Sequence, residues 1–83
     1  MDIKKLAEEK QRFGKHVLQL RKTIKSSDYP DRYISQQELS DRSESLSKKT
    51  IGEIERGETN PSFETLYVLA KALNTTLKEL FNF

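Results

Sequence analysis

The sequence predicts an all-α domain of five helices, on three observations. Its apolar residues recur at spacings of three, four and seven rather than two. Each periodic stretch is preceded by Asp, Ser or Thr, whose side chains cap helix N-termini. Both prolines, Pro30 and Pro61, fall in the gaps between stretches, where a missing N–H breaks no helical turn.

The first helix is expected from about Asp2 to Lys25, with Ile3, Leu6, Phe13, Val17, Leu20 and Ile24 on one stripe. Asp2 caps it, and Lys22 and Lys25 suit the negative end of its dipole. Lys10 interrupts the stripe, and Gly14 weakens the interior by about 1 kcal/mol relative to Ala. That leaves room for a kink near Gly14, or for a separate first piece. Residues 26–33 lose all periodicity and carry Ser, Asp and Pro, which marks a long loop. The second helix, Gln36 to about Arg42, opens on Ser35 with Glu38 three residues on, a capping box, and turns Ile34 and Leu39 inward. After a turn at 43–46, Ser47 caps a third helix that stops at Gly57, a residue suited to the left-handed C-terminal position. Ile51 and Ile54 share one face of it, while Lys48, Lys49 and Glu53 point elsewhere. Ser62 caps a fourth helix with Phe63, Leu66, Leu69, Ala70 and Leu73 inward, ended by Asn74. Thr76 with Glu79 forms a second capping box and opens a short fifth helix bearing Leu77, Leu80 and Phe81.

The 83 residues, 34% apolar and 34% charged, allow a single domain, 1–83, with one modest core. The absence of Cys removes disulfides, thiolate metal sites and cysteine nucleophiles, and fits a reducing cytoplasm. No apolar run reaches the ~20 residues needed to span a bilayer, so no membrane partner is expected. The lone His16 has no second His or Cys, so no metal or catalytic dyad is spelled out. With no glycine-rich phosphate loop either, no cofactor, small-molecule substrate or enzymatic activity is expected. The net charge of +2 is uneven: Lys10 to Lys25 holds six basic residues and no acidic one, while Asp28 to Glu64 holds nine acidic against five basic. A basic surface for nucleic acid would therefore combine the first segment with Lys48 and Lys49; an ordinary solvated face accounts for the same charges.

Two short helices about a tight turn, the second opening on Ser47-Lys48-Lys49, outline a helix-turn-helix at about 35–57. The ordered run Ser35-Gln36-Gln37-Glu38-Leu39, Thr50-Ile51-Gly52-Glu53-Ile54-Glu55-Arg56-Gly57 and Asn60-Pro61-Ser62, followed by Leu66 and Ala70 to Leu73, resembles the phage-repressor (Cro/cI, or XRE) DNA-binding domain over about Phe13 to Phe81. The resemblance implies the lambda-repressor-like fold, here with an extended first helix and a long loop after it. It implies a homodimer on a double-stranded DNA operator, and a transcriptional regulator, by default a repressor. Base contacts would fall to Lys48, Lys49 and Glu53, since Lys can donate to guanine and Glu can accept from cytosine. Phosphate contacts would fall to Gln36, Ser47, Thr50 and Asn60. Arg21 and Glu55 would form a structural ion pair. Leu77, Leu80, Phe81 and Phe83, or the Ile3/Leu6 end, are candidates for the self-interface.

Two departures from the family pattern stand out. The turn at Ser43-Glu44-Ser45 lacks the usual Gly and adds a residue, and the loop between the first two helices is longer than usual. Tyr29, Arg32 and Tyr33 in that loop either extend the DNA-binding surface or pack over the core. Gly52 marks either a close approach to another backbone or a neutral loss of a side chain. The rival reading is a protein-interaction module, such as an antitoxin, built on the same fold.

Overall fold

A computed structural model of residues Met1–Phe83 has five helices in chain order: α1 (Ile3–Arg21), α2 (Gln36–Arg42), α3 (Lys48–Arg56), α4 (Phe63–Ala72) and α5 (Leu77–Leu80). All five caps form as local chemistry dictates: Asp2, Ser35, Ser47, Ser62 and Thr76 each accept from the backbone N–H three residues on, at 3.0–3.2 Å. In α2 the Ser35 N–H also donates to Glu38, completing the capping box. Gly57 ends α3 at φ 72°, and Asn74 adopts φ 57° just after α4. No helix is long and apolar enough to cross a membrane.

The core draws on every helix: Val17 of α1, Leu39 of α2, Ile51 of α3, Leu69 of α4 and Leu80 of α5 are all fully buried. Each such side chain contributes about 1.5–3 kcal/mol on leaving water. His16 bonds through Nε2 to the Glu79 carbonyl at 2.8 Å, fastening α5 to α1, where Phe81 stacks on Phe13 at 5.6 Å. His16 is thus a structural residue.

Several expectations are corrected. α1 stops at Arg21, not Lys25, because the backbone turns there through tighter bonds, Thr23 N–H to Leu20 and Ile24 N–H to Arg21. Ile3 and Phe63 do not face the core, being 77% and 69% exposed. Ile3 lies in the first turn of α1 and Phe63 opens α4, both near the rim of the packed layer.

α1 runs unbroken through Gly14, and the reason for a glycine there is steric. A Cβ there would meet the Ile54 carbonyl oxygen at 2.6 Å and the Glu55 carbonyl closer still, so α1 and the end of α3 touch backbone to backbone. Gly52 shows the opposite: a Cβ there meets only the Arg56 guanidinium at 2.9 Å and the Gln36 amide oxygen at 3.4 Å, side-chain atoms that can move. The close backbone approach is at Gly14, not Gly52.

The segment between α1 and α2 is a pinned hairpin-like loop. Lys25 and Tyr33 form an antiparallel bridge, flanked by Ser26 N–H to Arg32 (2.9 Å) and Ile34 N–H to Ile24 (2.8 Å). Buried Ser26 accepts from the Asp28 and Tyr29 N–H groups and donates to Glu38 at 2.6 Å. Tyr29 and Tyr33 stay 56% and 44% exposed, so they do not complete the core.

Gly14→Ala is expected to lower stability by about 1–3 kcal/mol, as overpacking does. Gly52→Ala should change it by less than about 1 kcal/mol, because helix propensity offsets a small rearrangement of Arg56. Urea unfolding midpoints compare the two, and equal effects would refute the backbone-contact assignment.

The Glu38 carboxyl titrates below the usual carboxylate range, chiefly through the Ser26 hydroxyl and then the Ser35 N–H. A depressed folded-state pKa stabilises the fold above the unfolded pKa, and that gain is lost as pH falls through the folded one. The stability advantage of native protein over Glu38→Gln should therefore be largest at neutral pH and shrink below about pH 4.3. Urea titrations across pH test this; a pH-independent difference would contradict it.

Candidate nucleic-acid interface

α3 is held by its C-terminal end. Arg21, at the end of α1, donates from Nε to Glu55 Oε2 at 2.7 Å and from Nη2 to Glu55 Oε1 at 2.9 Å, a two-pronged ion pair with side chains 9% and 7% exposed. The third guanidinium nitrogen, Nη1, donates to the Ile34 carbonyl at 2.9 Å, at the entry to α2. Gln36 adds an amide N–H to Glu55 at 2.9 Å. The Glu55 hydrogen bonds outweigh burial and push the Arg21 pKa up, so the guanidinium stays charged at any ordinary pH. One carboxylate thus gathers α1, α2 and α3.

The enlarged turn ahead of α3 is organised by serines. Ser43 Oγ donates to the Ser40 carbonyl (2.7 Å) and accepts from the Leu46 N–H (3.0 Å), while Ser40 Oγ donates to the Leu46 carbonyl (2.6 Å). Leu46 is buried, while Glu44 and Ser45 protrude into solvent.

Against this frame the expected site residues separate into two groups. Lys48 and Lys49 are exposed at the start of α3, with no carboxylate within ion-pair distance. Glu53 is half-buried, one turn after Lys49 on the same face, and its carboxylate is in no ion pair. Ser47 Oγ accepts from the Thr50 N–H and donates to Thr50 Oγ1, both at 3.0 Å, which leaves the Thr50 hydroxyl hydrogen free. Gln36 and Asn60 are already engaged: Gln36 with Glu55, and Asn60 Oδ1 with Lys10 Nζ at 3.2 Å. Lys10, which breaks the apolar stripe of α1, ties that helix to the loop after α3.

Arg32 and Tyr33, two of the loop residues weighed for the DNA-binding surface, lie beside this end of α3. A cleft of about 660 Å³ lies between the α1–α2 loop and the starts of α2 and α3, with Arg32, Tyr33, Gln36 and Lys48 among its walls. The signal was present as a loop of unusual length with Arg32 between two tyrosines, but its placement depends on the Ser26–Glu38 bond, which no local pattern reveals.

A family model described as helix-turn-helix matches residues 31–80. The chain belongs to that family, in its Cro/cI (XRE) branch, and is a DNA-binding transcriptional regulator by class. Among solved structures it is similar to the restriction-modification controller protein C.AhdI from Aeromonas hydrophila, with 29% identity, a TM-score of 0.73, and 90% of this chain and 96% of that one covered. No curated protein sequence matches it.

Removing one partner of the buried pair, by Arg21→Ala or Glu55→Ala, should cost about 3–5 kcal/mol, because the remaining charge is buried without compensation. Replacing both by apolar residues of similar volume should recover much of that stability. Chemical denaturation of the two singles and the double decides it; additive losses would contradict the pairing.

Proposed function

We propose that this chain is a sequence-specific, double-stranded DNA-binding transcriptional regulator that works in the cytoplasm as a homodimeric repressor, with α3 in the major groove. The observation that carries the reading is the asymmetry of α3: its rear end is locked by Glu55, and its front end projects Lys48 and Lys49 without carboxylate partners. Lys48 and Lys49 donate to guanine edges, and Glu53, one turn on, accepts from a cytosine amine. Thr50 gives its free hydroxyl hydrogen to a phosphate. Ser47 and Gln36 meet the backbone through main-chain N–H groups more than through side chains, since those are engaged within the protein. Asn60 approaches the same backbone with Lys10 beside it. Occupying an operator is enough to block a polymerase, which makes repression the simplest outcome. The match to a controller protein supports a regulatory role.

Dimerisation follows from reach, because family members read two half-sites about 34 Å apart with two recognition helices. Leu80 is fully buried and is not part of a self-interface; Ile3, Leu6, Phe63, Tyr67, Phe81 and Phe83 remain exposed and supply apolar surface for one.

Selection of bound sequences from random duplex DNA should return a two-fold symmetric site, and sedimentation should show a dimer on it. Gln at both Lys48 and Lys49 should cost about 1–3 kcal/mol per lost base contact and relax preference at the matching positions, with helicity unchanged. Binding of native protein should weaken linearly in log salt. Absence of that slope, or unchanged affinity in the double variant, would defeat this reading.

A further inference from the structure

We propose that the loop between α1 and α2 is a second DNA-contacting element, with Arg32 gripping a phosphate of the strand that borders the groove entered by α3. The proposal rests on the DNA-binding reading above and adds a contact outside the helix-turn-helix.

Four observations meet at this loop. First, Arg32 and Lys48 wall the same cleft, so whatever backbone passes the start of α3 also passes the loop. Second, Arg32 is free. Of the five arginines, Arg12, Arg21 and Arg56 each hold a carboxylate; Arg32 and Arg42 make no side-chain hydrogen bond or ion pair, and of these two Arg32 is the one that lines this cleft, unpaired even with Asp31 beside it. The Arg21 charge is cancelled by Glu55, so the cleft keeps Arg32 and Lys48 against the single carboxylate of Asp31. Third, the exposed guanidinium is held: its carbon lies 5.2 Å from the Tyr29 ring centre, a cation–aromatic contact. Lys22 Nζ sits 5.8 Å from the Tyr33 ring at the same loop. Fourth, the loop is anchored. The Arg32 carbonyl accepts from Ser26, Ser26 holds Glu38 of α2, and the Lys25–Tyr33 bridge closes its base. A loop made only to connect two helices needs neither this bracing nor an unpaired arginine beside its closing bridge. Fixed geometry reduces the ordering cost of binding, and an arginine fork matches phosphate oxygens two at a time.

The contact reads backbone, not bases, and its signature is therefore electrostatic. Each neutralised phosphate contributes about 0.9 to the slope of log K against log salt. The affinity ratio of native protein to Arg32→Ala should accordingly fall about three- to fourfold per subunit, or about twelvefold for a dimer with two such contacts, between roughly 50 and 200 mM salt. Arg32→Lys should keep the slope, and Arg42→Ala, at the other end of α2, should leave affinity and slope as they are. The sequence selected by Arg32→Ala from random DNA should match that of native protein. The side chain is exposed and unpartnered, so the Tm of each variant should be unchanged.

The outcomes separate cleanly. If native protein binds DNA with a salt slope and Arg32→Ala matches it, the loop contact is refuted while the DNA-binding reading stands. If Arg32→Ala changes the selected sequence at one position, Arg32 reads a base and the phosphate assignment is overturned. If native protein shows no salt-dependent DNA binding, both fall together.

Discussion

The Glu55 carboxylate is the point on which the architecture converges. Its two oxygens take three hydrogen bonds, two from Arg21 and one from Gln36, while Arg21 reaches on to the Ile34 carbonyl. Burying such a pair brings little net stability, since desolvation offsets the attraction between the charges. What it provides is orientation, because a bidentate arginine–carboxylate contact tolerates few geometries. The end of α1, the entry to α2 and the end of α3 are thereby fixed relative to one another. The direction in which α3 projects follows from that constraint.

Gly14 makes the pair reachable. With a side chain at that position, α3 would stand off from α1 and Glu55 would be carried away from Arg21. The same crossing repeats at Gly57, where a Cβ would lie 3.0 Å from the Gln11 backbone nitrogen and where φ is already left-handed. The C-terminal half of α3 is therefore committed to packing against α1, with Ile51 and Ile54 in the core. Its first turn carries no such duty, which leaves Lys48 and Lys49 free to face a ligand.

How much of this was legible depends on the range of the interaction. Caps act across three residues, so Asp2, Ser35, Ser47, Ser62 and Thr76 placed all five helix starts correctly. Core faces of α3 and most of α4 followed from periodicity; Phe63 did not, because a residue in a first turn can share the apolar phase and still lie beyond the neighbouring helices. The Arg21–Glu55 contact was reached through family resemblance, as nothing local links residues 34 positions apart. Gly14 was read as a weakness since a sequence does not distinguish a tolerated gap from a required one. The Ser26–Glu38 bond was invisible for the same reason: Glu38 was already explained by its capping box, and its second oxygen had a further partner.

The turn before α3 shows how such a departure from the family pattern is accommodated. A glycine turn works by allowing a backbone angle that other residues avoid. Here no non-glycine residue between α2 and α3 takes a positive φ. Instead, the Ser40 hydroxyl donates to the Leu46 carbonyl and the Ser43 oxygen accepts from the Leu46 N–H, replacing conformational freedom by hydrogen bonds. Buried Leu46 then anchors the chain in the core immediately before Ser47 begins α3. Glu44 and Ser45 form the exposed arc of the turn, while the start of α3 is set by Leu46 inside and by Ser47 at the cap. A polar network of two serines thus does for orientation at the front of α3 what Glu55 does at its rear.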